Sequence, residues 1–521
     1  MVQRNVIAVG VLSLVAGGCF ADPPPDSNSG SNADSSSTSG SPQGDATVDA
    51  SSSGGETGGE TTGEPSTDES SSGGFGGAQV RAVHAALGIG AVDIYAVGGA
   101  EPLFEDVEYG EATDRIEVVG GLTAFAFRPA GAPADAPPAY VSPDLLLEDG
   151  DDITAVAAGV FGSEADSDRF RLVPIAEGWG PQLQERARAR VVNVGPDAPA
   201  FRLDGPSEDR VGRFGSTDAD GFALDTAGER IELLEDAESN PDLLTSFTLP
   251  PVAEGDEVLL IATGRLGALA REPDGFSVIA VGRDGALDVV RQDPELFVLH
   301  GSRDAGTLET CSGDVELAAN FDYGEMLSTR VSPGEYGLDL FNYPAGCVGT
   351  PLSPAPNTTG PLQAGERYLL LVTGEVTPDA SEAGIQVATF EDEFPLSDQE
   401  QARVRFVHGA SYTQVFVGAV DGEGIPEPNV LTQPIGWSVE SAEVAVPEGD
   451  YLLGIADAAE EPSFPAPPLV TLPYQAVGGA RQWAIVSGDP TPESDDGFLQ
   501  VMVVDTTTPR WGVVVADVWL P

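Results

Sequence analysis

From residue 79 onward the apolar positions fall in short runs separated by Gly, Pro, Asp and Ser, while the 3.6-residue helical period is scarce. The pattern predicts strands and turns. Four runs share one phrase: Val80-Arg81-Ala82-Val83-His84, Ala189-Arg190-Val191-Val192-Asn193, Leu296-Phe297-Val298-Leu299-His300 and Val404-Arg405-Phe406-Val407-His408. Their closing residues are 109, 107 and 108 positions apart, so the chain reads as a fourfold internal repeat. In this phrase His408 shares the parity of Val404 and Phe406, which turns it toward the core at the strand end.

Other marks keep the same order. Each copy reaches a pair of glycines nine residues apart: Gly150 and Gly159, Gly255 and Gly264, Gly365 and Gly374, Gly479 and Gly488. Between them the residues are almost continuously apolar, as in Val258-Leu259-Leu260-Ile261-Ala262 and Tyr368-Leu369-Leu370-Leu371-Val372. A run this short fits a strand buried on both faces better than a helix. A further strand is predicted to begin 11 or 12 residues after the second glycine, at Phe170, Phe276, Ile385 and Leu499. A weaker mark, Gly after an aromatic or aliphatic residue, occurs at Tyr109-Gly110, Phe214-Gly215, Tyr323-Gly324 and Ile435-Gly436.

Each copy is the size of a small two-sheet domain. The expected fold is all-β: four tandem Ig-like or transthyretin-like β-sandwiches over residues 79–185, 186–293, 294–400 and 401–521, with an extra strand in the last copy at Trp511-Gly512-Val513-Val514-Val515. A fragment such as 401–521 is expected to fold alone. With 64 Gly and 42 Pro, the composition also argues against a helical bundle.

The stretches Arg403-Val404-Arg405-Phe406-Val407-His408-Gly409-Ala410-Ser411 and Arg190-Val191-Val192-Asn193-Val194-Gly195-Pro196-Asp197-Ala198-Pro199 resemble the opening of the bacterial domain of unknown function 4397. Pro333-Gly334-Glu335-Tyr336 and the glycine-bounded strand are similar to its later features. The third copy departs most, because Gly301-Ser302-Arg303-Asp304-Ala305 keeps little of the opening. The resemblance implies an exported, tandem, β-rich protein of the cell envelope, and it supplies no catalytic residues.

Ahead of the repeats, Arg4 precedes the apolar run Val6–Val15 and the small residues Ala16-Gly17-Gly18, which lead into Cys19. A basic start and a short apolar core describe an export signal over residues 1–18 rather than a membrane span. Small residues before Cys19 resemble a lipobox, so Cys19 is the candidate lipidation site and the lipid the expected link to a membrane. Residues 20–77 are Ser, Gly, Thr, Pro, Asp and Glu with almost no apolar side chain, too few to offset ordering entropy. They read as a disordered tether spanning roughly 40 Å as a Gly/Ser-rich coil, extended further by ten acidic residues and no basic ones.

The net charge is −60, and all 24 basic residues are arginine. Such a balance disfavours nucleic acid and anionic headgroups. It is compatible with plain solubility, cation binding or life at high salt. With Cys19 assigned to lipid, Cys311 and Cys347 form an even pair suited to a disulfide in an oxidising compartment. That link would stabilise the third copy by roughly 3 to 4 kcal/mol in the chain-entropy account.

The chemistry the sequence offers is sparse. It has no Gly-x-Ser-x-Gly, His-Glu-x-x-His, Walker or Cys-x-x-Cys motif. His84, Asn193, His300 and His408 read as structural marks of the repeat, since residues in different copies do not converge on one ion and Asn can donate and accept as His does. Asp218-Ala219-Asp220-Gly221 hints at a calcium loop but has Ser216 and Ala227 where ligands belong, and Asp149-Gly150-Asp151-Asp152 reads as a turn. No cofactor, metal or catalytic residue is expected. The expected function is a non-enzymatic, lipid-anchored, monomeric envelope protein acting as a surface stalk or binding array. An alternative is a carbohydrate or cell-wall binder with Trp179, Trp437 or Trp483 as stacking platforms, although Trp483 lies in a predicted buried strand.

Overall fold

Four strands with the shared phrase, Gly77–His84, Ala187–Asn193, Glu295–His300 and Gln401–His408, each lie at the same place in a sheet. In every copy this opening strand runs parallel to the glycine-bounded strand: Asp152–Ala158, Glu257–Thr263, Arg367–Thr373 and Arg481–Ser487. All other pairings between the described strands are antiparallel. On its far side the opening strand pairs with a short edge strand, Ile116–Val119, Phe222–Leu224, Met326–Arg330 or Val444–Pro447. A second sheet of four strands covers one face in each copy. The fold is therefore all-β, four sandwich modules of one topology, with no helix among the described residues. The computed structural model describes residues 77–516 except 134, 182–184, 205–208, 238–240, 354–355, 379–383, 396–399, 411–413, 421–425, 459–467 and 489–498. The signal segment, Cys19 and nearly all of the tether lie outside that range.

The nine-residue glycine spacing has a backbone cause. All eight glycines have φ between 79° and 95°, a left-handed conformation that L side chains resist. At Gly264 a Cβ would also stand 2.3 Å from the carbonyl oxygen of Gly275, and at Gly159 it would stand 2.5 Å from that of Arg169. One glycine turns the chain into the buried strand and the next turns it out.

Two-sided burial explains the continuous apolar runs. Val258, Leu260 and Ala262 face the core of the second module, while Leu259 and Ile261 face the opposite way and pack on Val83, Val156 and Val173 of the first. In the same manner Tyr368, Leu370 and Val372 fill the third module's core, while Leu369 and Leu371 meet Trp483, Ile485 and Met502 of the fourth. Modules one and two thus share an apolar seam, as do three and four. The seams are approximately two-fold: Thr373 Oγ1 donates to the carbonyl of Gly409, and Ser487 Oγ donates to that of Gly301 at 2.6 Å. In the first seam Thr263 Oγ1 reaches the carbonyl of Ala85 at 2.7 Å, but the matching residue is Ala158, which has no hydroxyl.

Odd and even modules differ at the sheet edge. The expected extra strand of the last copy is Gly512–Ala516, and the second module has its own equivalent, Gly285–Arg291, which the sequence pattern did not reveal. Each presses on the partner module: a Cβ at Gly110 would stand 2.6 Å from Val289, and one at Gly324 would stand 2.7 Å from Val515. The glycine mark itself is out of register in the even copies. The residue that donates its N–H to the closing residue's carbonyl is Gly110, Phe214, Gly324 and Ser438, and Phe214 and Ser438 hold the positive φ that glycine holds in the odd copies.

The joint between the two pairs is polar. Arg230 donates to the carbonyl of Arg330 at 3.0 Å, Thr248 reaches Ser332 at 2.9 Å, and Arg271 donates to the carbonyl of Phe394 at 2.7 Å. Among the described residues no apolar cluster crosses from the second module to the third. The body from residue 73 onward is nonetheless one unit by its contacts. No described helix is long and apolar enough to cross a membrane.

Candidate functional site

The closing residue of each opening strand stitches the turn that follows. His84 accepts the N–H of Ala86 at Nδ1, 3.3 Å away, and its Nε2 lies 3.1 Å from the carbonyl of Gly90. His300 does the same with Ser302 at 3.3 Å and Gly306 at 3.0 Å. Asn193 reproduces both bonds, with Oδ1 accepting from Gly195 at 3.3 Å and Nδ2 donating to Pro199 at 2.9 Å. The partners are offset by two and six residues in all three cases. His408 is fully buried at the matching place.

These partners fix the chemistry. An amide N–H only donates and a carbonyl only accepts, so each imidazole is neutral with its proton on Nε2, and neither nitrogen of His84 or His300 has a lone pair left for an ion. Burial pulls both imidazoles below the ordinary histidine range, against the raising effect of the Gly90 and Gly306 carbonyls. A lowered folded-state pKa means that the stabilisation is complete above the unfolded value of about 6.5 and is lost as pH falls through the folded one. The double variant His84→Asn, His300→Asn should therefore lose stability less steeply than the parent between about pH 6.5 and 5, by up to about 1.4 kcal/mol per pH unit per histidine. Urea titrations of both proteins across that range are the check. Parallel slopes would reject the neutral-imidazole assignment.

A second motif residue works beside the first. Asp197 accepts the N–H groups of Leu266 and Gly267 at 2.8 and 2.9 Å, and Asp304 accepts those of Val376 and Thr377 at 2.9 and 3.2 Å. Each lies four residues after the closing residue and ties the loop beyond the second glycine. Asp304 thus keeps its role in the copy whose opening sequence has drifted most.

Sequence reasoning missed the buried arginine networks at the seam edge. Arg81, with the parity of Val83 rather than of the core residues, meets Glu177 at 2.6 Å, Thr154 at 2.7 Å and the carbonyl of Gly282 in the second module. Arg115 takes the other Glu177 oxygen at 2.7 Å and Asp152 at 2.9 Å. Both the Arg81 and Glu177 side chains are at most 3% exposed. Burial lowers the Arg81 pKa, and the Glu177 charge opposes that shift. In the second pair Asp392 follows its strand as Glu177 does, its partner Arg367 opens the glycine-bounded strand where the first module has Asp152, and Arg271 from the second module joins them. The readable signal was an arginine inside an otherwise apolar strand.

Cys311 and Cys347 are joined, with Cα atoms 5.7 Å apart, and link the strand Leu308–Ser312 to the loop after Gly334–Asn342. Glu309 lies close enough to both sulfurs to suggest a metal site, but its Oε1 accepts the N–H of Cys347 at 2.7 Å and the sulfurs are committed to each other. Around Asp149–Asp152, Asp151 caps the N–H of Glu148 at 2.8 Å and Asp152 binds Arg115, which makes the segment a turn. Asp218 likewise closes a turn by accepting the N–H of Gly221 at 2.9 Å. Among the described residues the tryptophans do not gather on one face. Trp483 is fully buried in the second seam and donates to Glu440 at 3.0 Å, Trp179 is half-buried beneath Arg190, and Trp437 is half-buried in the fourth module.

A cleft of about 630 Å³ lies where the second module faces the third and fourth. Leu243 and Leu244 form one wall and the edge strand Met326–Arg330 the other, with Trp511 at the end. Trp511 is stacked on Phe297, centroids 3.9 Å apart, and Arg367 lies 5.0 Å from its ring, so its edge rather than its face is presented.

No curated protein matches the chain. The model of the Domain of unknown function (DUF4397) matches residues 78–204 and 294–417, each match opening on the first strand of an odd module and running into the first strands of the even module packed against it. The two matched regions, residues 78–204 and 294–417, are therefore DUF4397-like repeats in tandem.

Proposed function

We propose that this chain is an exported, lipid-anchored, non-catalytic binding protein of the bacterial envelope, exposed at the outer membrane or cell surface. Cys19 carries the lipid, residues 20–77 form the tether, and the four modules form the body held away from the membrane. The observation that carries this reading is the order of segments: a basic and apolar leader, small residues before Cys19, an acidic Ser/Gly-rich stretch, then the paired sandwiches. The joined cysteines favour an oxidising compartment. The histidines, whose nitrogens are used within their own turns, favour a structural role over catalysis. Two or more acyl chains would make the attachment stable where one would be marginal.

Cys19→Ser tests the anchor. The parent should incorporate labelled fatty acid and sediment with membranes, and the variant should do neither. A variant that fractionates with membranes like the parent, together with a parent that takes up no label, would remove the lipid from the proposal and leave the body unaffected.

A further inference from the structure

Both walls of the cleft come from edge strands, Leu243–Thr248 on one side and Met326–Arg330 on the other. Met326–Arg330 is the outermost strand of its sheet and bonds to Glu295–His300 on one side only. His300 donates its N–H to the carbonyl of Glu325, and bonded pairs in an antiparallel ladder recur at every second residue. The inward pairs are then Val298 with Leu327 and Leu296 with Thr329. Met326, Ser328 and Arg330 turn their N–H and C=O groups outward, toward the second module. Arg230 of that module already donates to the outward carbonyl of Arg330 at 3.0 Å, which shows the direction these groups face.

The repeat itself shows that this place has changed. Arg81, Arg190 and Arg405 occupy one position of the phrase, and Phe297 stands there in the third copy. Register also aligns Arg115 with Ser328, since Val80 pairs with Ile116 and its equivalent Leu296 with Thr329. The first module thus closes this corner with the Arg81–Glu177–Arg115 network, while the third has Phe297, covered by Trp511, and Ser328 beside an open cleft. Opposite them lie Leu243, which is 41% exposed, and Leu244. Glu235 and Asp242 add two carboxylates to that wall. Of the cations in the lining, Arg330 is held by Glu295 at 2.8 Å and by the carbonyl of Asp293 at 3.1 Å, and Arg510 lies at the Trp511 end.

We propose that this cleft is a peptide site, which takes an extended segment with alternating basic and apolar side chains as an added strand on Met326–Arg330. Backbone bonds to Ser328 and Met326 would set the register, as in other cases of strand addition. The apolar side chains would meet Leu243, Leu244 and Met326, and the basic ones Glu235 and Asp242. A body with net charge −60 would draw a basic segment in and repel an acidic one. The site is independent of the lipid anchor, because none of its residues belongs to the leader or the tether.

The probe is a labelled heptapeptide of alternating lysine and valine, compared with its glutamate–valine counterpart and titrated against the full chain by fluorescence anisotropy. The lysine peptide should bind at least about tenfold tighter than the glutamate peptide. Ser328→Pro removes one outward N–H and should weaken binding by about tenfold. The double variant Glu235→Gln, Asp242→Asn alters only side chains at the cleft and should weaken it severalfold, so the test stands even if the proline variant misfolds. Near-ultraviolet circular dichroism checks that each variant keeps its fold. Equal affinity for the two peptides would mean that charge plays no part in binding, and lysine-peptide binding unchanged in the carboxamide variant would mean general attraction to an acidic surface; either result would overturn the proposal.

Discussion

A fragment containing only residues 401–521 is expected to associate or stay unfolded, whereas 294–521 should be soluble and unfold cooperatively. The isolated fourth module would expose Trp483, Ile485, Met502, Val504 and Trp511, all of which lie in the seam with the third. At roughly 1.5 to 3 kcal/mol for each large side chain returned to water, the loss is on the order of 8 to 15 kcal/mol. That matches the whole stability of a typical domain, about 5 to 15 kcal/mol, so the seam decides the outcome. Size-exclusion chromatography and urea unfolding of the two fragments are the measurement. A monomeric 401–521 with a cooperative transition would show that the fourth module does not need its partner, as the strand pattern alone suggested. The joint between the second and third modules carries no such apolar surface, so a cut near residue 293 should be tolerated.

Glu177→Ala should destabilise the first pair by roughly 3 to 5 kcal/mol, because it leaves the buried Arg81 guanidinium facing Arg115 with no charge between them. The intact network is not thereby strongly stabilising, since desolvating both partners offsets much of their attraction. The double variant Arg81→Met, Glu177→Leu should therefore recover most of the loss. Thermal and urea unfolding of Glu177→Ala, of the single variants Arg81→Met and Glu177→Leu, and of the double complete a cycle. A loss below about 1 kcal/mol for Glu177→Ala would place the pair among exposed bridges and contradict its burial.

Much of the fold was legible because its turns leave compositional marks. Only glycine takes the positive φ at Gly150 and Gly159 without strain, and the strand between them has a fixed length, so the spacing survives where the rest of the sequence drifts. Two-sided burial was also legible in Tyr368–Val372, but not what covers the second face, since Leu369 and Trp483 meet from strands more than a hundred residues apart. The same limit hid the Arg81–Glu177 pair and the stacking of Phe297 on Trp511. Aligning Gly110 with Gly215 failed for a different reason. The partner's fifth strand forces glycine only in odd modules, and Phe214 and Ser438 are free to keep a side chain. The turn chemistry of His84 and Asn193 was readable as an exchange of like for like, whereas the cleft depends on how two pairs meet and leaves no local signature.

Because the fifth strands Gly285–Arg291 and Gly512–Ala516 belong to even modules and press on glycines of odd ones, the chain has a parity. His84 and His300 are 216 residues apart, and Asn193 and His408 are 215 apart, so the structural repeat is twice the length of the sequence repeat. Unequal crossing-over that removed one copy would set an odd face without its even complement, while removal of two would restore every contact. Descendants of such a gene should shorten or lengthen in steps of two modules, and an odd count should survive only where the orphaned face finds another cover.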